Sequence, residues 1–137
     1  MSLLVPYNNG IKGDIEDSTM QVFEKVMDKD GYIVPKMMAQ YFHTVVGDVL
    51  EMTGVPESAA TRKERMRSSI NQSRLLNTLE IINQVKPWAG SDFKAYAWYR
   101  SERIPALGDV TAEEAVKAGH ANAVKLYLNS IALGGFA

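Results

Sequence analysis

Apolar residues recur along most of this chain at helical spacing, and polar and apolar positions never alternate strictly over six or more residues. Apolar positions three and four residues apart form one stripe on a helix, whereas a strand alternates at every second position. The strongest stripe runs from Leu75 to Val85. We therefore predict an all-α fold, a helical bundle of roughly seven or eight helices.

Cap and turn residues divide this pattern into separate helices. Ser18 with Gln21 forms a capping box, in which each side chain bonds an unpaired backbone N–H, and predicts a first helix that ends before Gly31. Pro35 suits the first turn of the next helix, and Gly47 is expected to break it. The other predicted helices cover residues 49–53, 57–69, 69–86, 91–100, 111–119 and 120–133.

Two of these helices carry more specific predictions. Ser69 and Gln72 predict a second capping box, and Pro87 is expected to end the helix that begins there. In the helix over residues 91–100, the apolar spacing predicts that Phe93 and Ala97 are buried, together with either Tyr96 or Trp98.

Composition is typical of a globular protein and narrows the classes open to it. The chain has 137 residues, 46% of them hydrophobic and 23% charged, and no Cys. It therefore has no disulfide framework or thiolate chemistry. No apolar run approaches the ~20 residues that span a bilayer, and the N-terminus does not resemble a secretory signal. We expect a cytoplasmic protein with no membrane partner.

The net charge of −1 conceals a basic middle segment. Residues 58–103 contain nine Lys or Arg and four Asp or Glu, whereas residues 1–57 contain four and nine. A basic segment between acidic flanks favours an anionic partner, although a solvated charged helix face would give the same pattern.

The basic segment follows a helix-turn-helix outline. A short helix over 49–53, a turn at 54–56 and a basic helix over 57–69 match its order. Leu50 stands where that motif favours a small residue, and Thr53 replaces the usual apolar residue before the turn glycine. Arg, Lys and hydroxyl side chains on such a helix contact phosphates and base edges. The candidate DNA-binding residues are Ser58, Thr61, Arg62, Lys63, Arg65, Arg67 and Arg74.

Motifs of common enzyme classes are absent from the sequence. It contains no GxxxxGK[ST], GxGxxG, HExxH or GxSxG pattern. His43 and His120 are isolated, and Glu113 and Glu114 point about 100° apart on a helix. We therefore predict a protein that is not an enzyme, with no catalytic residue, metal site or cofactor.

The last third of the chain carries the most specific pattern. An aromatic-rich helix (FKAYAWYR) precedes PALGD at 105–109, the capped helix TAEEAVKAG at 111–119, and a final helix that ends in GGFA at 134–137. This order resembles the toxin-binding domain of the Xre/MbcA/ParS antitoxin family. Asp109 stands where that family has a second Gly, and Ala112 where Pro is common. The resemblance covers residues 34–137 and leaves residues 1–33 aside.

The resemblance implies a dimeric type II antitoxin that neutralises a RES-type, NAD-consuming toxin and represses its own operon by binding operator DNA. It divides the chain into an N-terminal arm and helix (1–33), a DNA-binding and dimerisation region (34–86) and a C-terminal toxin-binding domain (87–137). A stand-alone helix-turn-helix regulator and a non-enzymatic protein-interaction module stay open as alternatives. The candidate toxin-binding residues are Leu107, Gly108, Gly135, Phe136 and Ala137.

Overall fold

The computed structural model describes residues 20–134 and is mostly helical, which confirms the predicted all-α class. Within these residues, no helix is both long enough and apolar enough to cross a membrane. The helices are α1 (20–26), α2 (Pro35–Tyr41), α3 (Val46–Thr53), α4 (Glu57–Ala60), α5 (Lys63–Met66), α6 (Ser69–Ala89), α7 (Asp92–Ser101), α8 (Ala112–Lys117) and α9 (Ala121–Ala132).

A two-stranded antiparallel hairpin joins α7 to α8. Strand β1 (Arg103–Ile104) pairs with β2 (Val110–Thr111), and a single 3₁₀ turn over Pro105–Leu107 lies between them. The predicted capping box of α8 is confirmed: Thr111 Oγ1 accepts from Glu114 N at 3.0 Å, and the Glu114 carboxylate accepts from Thr111 N at 2.9 Å. The predicted cap at Ser18 lies outside the described residues.

The long helix α6 lies at the centre of the core. It packs against α3, α7, α8 and α9, so that the N-terminal helices and the C-terminal helices contribute to one buried cluster. The largest side chains of this cluster that are almost fully buried are Tyr99, Met38, Met52, Leu75, Leu79, Ile81, Ile82, Ile104 and Leu128.

The predicted break at Gly47 is wrong by several residues. Helix α2 ends at Tyr41 and α3 already begins at Val46, so that Gly47 lies inside α3. His43 adopts φ 58 in the connecting turn, and the Thr44 hydroxyl contacts the Asp48 carboxylate. The turn therefore forms at polar residues that allow a reversal of the backbone.

The predicted continuous helix over residues 57–69 is also wrong. It divides into α4 and α5, because Arg62 adopts an extended conformation with φ −125 and ψ 106. Ala59 and Met66 are buried, and in a straight helix Arg62 and Lys63 would share their face. The break keeps both cations in water while both apolar residues reach the core.

Helix α6 begins one residue earlier and ends later than predicted. Its N-cap is Ser68, whose hydroxyl accepts from Asn71 N at 3.4 Å, rather than Ser69. Gln72 instead bonds both backbone groups of Ile33, at 2.8 and 3.0 Å. The helix continues through Pro87 in its last turn, although proline lacks the N–H that would donate to the backbone oxygen four residues earlier. It thus crosses the predicted boundary between residues 86 and 87, and the domain division stays a prediction.

The predicted buried face of α7 is wrong. Phe93 is 69% exposed and Ala97 is exposed, while Ala95 and Tyr99 are fully buried. Tyr96 and Trp98 are only partly buried against the core. The helix is oriented by the hydrogen bonds of the Tyr99 hydroxyl, which no local pattern reveals.

Candidate functional site

Five of the seven candidate DNA-binding residues lie together on an exposed surface. Ser58 is on α4, Thr61 and Arg62 form the connection, and Lys63 and Arg65 are on α5; all five are exposed. The three cationic side chains form no ion pair with any residue between 20 and 134. We call these five residues the basic surface. No described carboxylate therefore competes with an external anion for these cations.

Arg67 lies beside this surface but is engaged within the protein. Its Nη2 is 2.9 Å from Asp28 Oδ2 and 2.9 Å from Asp30 Oδ2, and its guanidinium lies over the Tyr32 ring. The backbone N–H of Tyr32, together with Arg67, lowers the pKa of Asp28, so that its carboxylate is ionised at neutral pH. Arg67 thus ties α5 to the loop before α2, and its predicted role in DNA binding is untested.

Arg74 is also held by the protein. Its Nη1 donates to the backbone oxygen of Gly54 at 3.1 Å. Gly54 has φ 80, and a Cβ on it would lie 3.4 Å from Lys117 Cγ. The turn after α3 is therefore supported by α6 on one side and α8 on the other.

The two residues that depart from a typical helix-turn-helix are both accommodated in the core. Leu50 is 6% exposed and Thr53 is fully buried. The Thr53 hydroxyl donates to Val49 O at 2.7 Å and accepts from Val55 N at 3.4 Å. A polar residue before the turn glycine is tolerated because its hydroxyl bonds the backbone at the end of α3.

The Tyr99 hydroxyl connects α7 to the end of α3. It donates to Met52 O at 2.7 Å and lies 2.9 Å from Thr78 Oγ1. In a continuous helix Met52 O would accept from residue 56, but Pro56 has no N–H. Burial raises the pKa of Tyr99, and the hydroxyl stays protonated as a donor. It therefore satisfies a carbonyl that the backbone cannot.

A second connection between these regions is ionic. Arg100 Nε donates to the buried carboxylate of Glu113 on α8 at 2.7 Å. Its other nitrogens lie 3.8 Å from Asp48 and 3.7 Å from Glu51 on α3. Arg100 therefore joins α3, α7 and α8 through three carboxylates.

The two described toxin-binding candidates lie in the hairpin. Leu107 is partly buried and packs against the core, whereas Gly108 is exposed with φ 89. Asp109 follows with φ 61, so this residue is also in the left-handed region. Asp adopts this conformation more readily than most residues. Gly135, Phe136 and Ala137 lie outside the described residues.

An aromatic groove lies at the C-terminal end of α9. Its volume is about 190 Å³, and the chain's only two tryptophans, Trp88 and Trp98, line it. Ile131 lies in the same groove, three residues before Gly134, which turns the chain with φ 80. Gly134 donates its N–H to Ile131 O at 3.0 Å and therefore lies close to this groove. The remaining lining residues are Val85, Ala89, Tyr127 and Leu128.

Comparison with protein-family models, with curated proteins and with solved structures finds no match to this chain.

Sequence reasoning missed the residues that hold these surfaces in place. Tyr99 and Arg100 fall on a helix whose buried face was assigned wrongly, and Glu113 was set aside as half of an acidic pair. A sequence signal existed for Tyr99, because Pro56 leaves Met52 O in need of a donor. Nothing local indicates which residue supplies it.

Proposed function

We propose that this protein is an antitoxin-type regulator, which binds its operator through the basic surface and a protein toxin through its C-terminal end. The exposure of Arg62, Lys63 and Arg65, with no carboxylate partner between residues 20 and 134, is the observation that supports this most. Arg67 and Arg100, in contrast, are paired with carboxylates within the protein. Exposed cationic side chains that no described carboxylate pairs, next to a turn that hydrogen bonds hold in place, suit a polyanionic partner.

The short helices define how such a surface would meet DNA. Helices α4 and α5 have four residues each, so neither is long enough to lie along a major groove as one rod. The hydroxyls of Ser58 and Thr61 stand with the cations, a combination suited to phosphate contacts. We therefore expect backbone contacts to dominate affinity.

The test measures binding to a duplex from the gene's own upstream region at several salt concentrations. Replacing both Arg62 and Arg65 by Ala is expected to weaken binding and to reduce the slope of log K against log salt by about 2, because each phosphate contact contributes about 0.9.

A matched control removes the same charge elsewhere. Lys29 and Lys94 are exposed and form no ion pair with a described residue, and neither belongs to the basic surface. Replacing both by Ala is expected to leave the slope nearly unchanged. Equal reductions of DNA affinity and of the salt slope in both double variants would contradict the DNA-binding half of the proposal. No binding of the wild-type protein to upstream DNA would contradict it as well.

The toxin-binding half rests on the resemblance and on two exposed glycines. Gly108 is exposed in the hairpin, and Gly134 is exposed just after α9, where its N–H donates to Ile131 O of the aromatic groove. The sequence that follows contains one aromatic side chain, Phe136, of a kind that fills apolar pockets on protein partners. A RES-like reading frame next to this gene would identify that partner.

Deleting residues 135–137 tests this half. We expect the truncated protein to unfold at the same urea concentration as the full chain, because these residues follow the last helix, but to lose inhibition of the co-expressed neighbouring protein. Inhibition that survives the deletion would refute the role of the tail. DNA binding without any toxin partner would instead favour the stand-alone regulator.

A further inference from the structure

One cavity adjoins the basic surface, but most of the residues that line it belong to another part of the chain. It has a volume of about 510 Å³ and lies between the loop that leads into α2 and helices α4 and α5. Pockets that hold small organic ligands have volumes of about 300–1,000 Å³. The residues that line it are Asp28, Tyr32, Ile33, Val34, Pro35, Lys36, Val46, Ala60, Thr61, Lys63, Met66 and Arg67.

The interior of this cavity is apolar. Ile33, Pro35 and Met66 are buried core residues that present part of their surface to it, and Val34 and Val46 are half-buried. Such a wall favours the apolar body of a ligand over water.

Its charged groups, in contrast, are predominantly cationic. Asp28 is the one carboxylate in the lining, and it is already paired with Arg67 at 2.9 Å. Asp30, the second partner of Arg67, is not among the residues that line the cavity. Lys36 and Lys63 are exposed and form no ion pair with any described residue. Two unpaired ammonium groups therefore border an apolar cavity.

We propose that this cavity binds an amphipathic organic anion, with an apolar body against Ile33, Val46 and Met66 and an acidic group at Lys36 and Lys63. Thr61 and Lys63 also belong to the basic surface. Provided that the proposed DNA binding holds, such a ligand competes with DNA for them. The cavity is then an effector site of the regulator.

The probe for this site is 8-anilinonaphthalene-1-sulfonate, an aromatic anion whose fluorescence rises on transfer from water to apolar surroundings. The full-length protein is expected to bind it saturably, at one molecule per chain. Lys36→Glu is expected to raise the dissociation constant at least about tenfold, because it turns an attraction at short range into a repulsion. Lys29→Glu makes the same charge change outside the cavity and is expected to alter it less than about twofold.

A steric variant tests the cavity independently of charge. Ala60 is exposed at its edge, so that Ala60→Phe fills part of the volume without disturbing the core, and we expect weaker binding. Near-ultraviolet circular dichroism of each variant must match the wild type, since loosely packed states also bind this dye. Equal affinity of Lys36→Glu and Lys29→Glu, or the absence of saturable binding, would overturn the proposal.

Competition with DNA is measured separately, by titrating the upstream duplex with and without a saturating amount of the dye. A lower DNA affinity supports the effector role. Dye binding that depends on Lys36 but leaves DNA affinity unchanged would overturn the competition. If no duplex binds at all, the proposed function fails while the dye titration still decides the cavity.

Discussion

Replacing Tyr99 by Phe removes one hydroxyl from the centre of the core and leaves the ring in place. The hydroxyl donates to Met52 O at 2.7 Å, and Pro56 cannot provide the N–H that would replace it. A buried carbonyl left without a donor costs about 1–3 kcal/mol. Thr78 Oγ1 retains a contact with Arg74 O at 3.3 Å, so it adds less. We expect the free energy of unfolding to fall by about 2 kcal/mol.

Urea unfolding followed by far-ultraviolet circular dichroism measures this loss. The matched control is Tyr127→Phe, because Tyr127 is half-buried and its hydroxyl bonds no described residue. That variant is expected to stay within about 0.5 kcal/mol of the wild type. If Tyr99→Phe costs no more than the control, Met52 O has another partner and the account of the α3 terminus is wrong.

The following predictions concern the other contacts that hold the candidate surfaces. Arg100→Ala leaves the buried Glu113 carboxylate with Lys117, at 3.9 Å, as its one cationic partner among the described residues. This variant is expected to lower the free energy of unfolding by about 2–3 kcal/mol, whereas the double variant Arg100→Met, Glu113→Leu is expected to recover much of that loss. Equal losses in the single and the double variant would contradict this. The backbone N–H of Thr111 lowers the pKa of Glu114 in the folded protein. The ionised Glu114 carboxylate therefore stabilises the fold fully above the pKa of about 4.3 that it has in the unfolded chain, and this contribution is lost as the pH falls through its pKa in the folded protein. The difference in unfolding free energy between wild type and Glu114→Gln should therefore shrink in acid titrations below about pH 4, and a constant difference would refute the cap contribution. Because Asp109 has φ 61, Asp109→Gly is expected to match or exceed the stability of the wild type, whereas Asp109→Val is expected to lower the free energy of unfolding by more than about 1 kcal/mol. Thermal melts that rank the two variants in the reverse order would exclude backbone strain at this position.

Features that depend on a few neighbouring residues could be predicted from the sequence. The Thr111 capping box and the turn at Gly54 formed as expected, because their hydrogen bonds and backbone angles are set within four residues. The helical class followed from spacing alone. Local rules therefore located most helices, although not their ends.

The errors arose where distant residues decide the outcome. Phe93 is more apolar than Tyr99, yet Phe93 is exposed and Tyr99 is buried, where Met52 O and Thr78 supply its hydrogen bonds. One helix is predicted over 57–69, but in it Arg62 and Lys63 would share the buried face of Ala59 and Met66, and the break at Arg62 leaves both cations exposed. Burial of the core thus overrode local helical preference.

The sequence predicted which residues form the candidate site better than it predicted how those residues are arranged. Exposure of Arg62, Lys63 and Arg65 agrees with a binding surface, although their role stays a prediction. Arg67 and Arg74 could not be separated from them by sequence, because their partners lie 39 and 20 residues away. Lys36 was missed because only the folded chain brings the first turn of α2 and helix α5 to the same cavity.

The turn between α3 and α4 is held by local hydrogen bonds of Thr53 and also by residues from the C-terminal half of the chain. Tyr99 bonds Met52 O before it, Arg74 bonds Gly54 O within it, and Lys117 lies close to Gly54. Because α6, α7 and α8 provide this support, a partner that shifts these helices also changes the position of α4. If both halves of the proposed function hold, a toxin bound at the C-terminal end is expected to change affinity for DNA, and by linkage DNA must change affinity for the toxin equally.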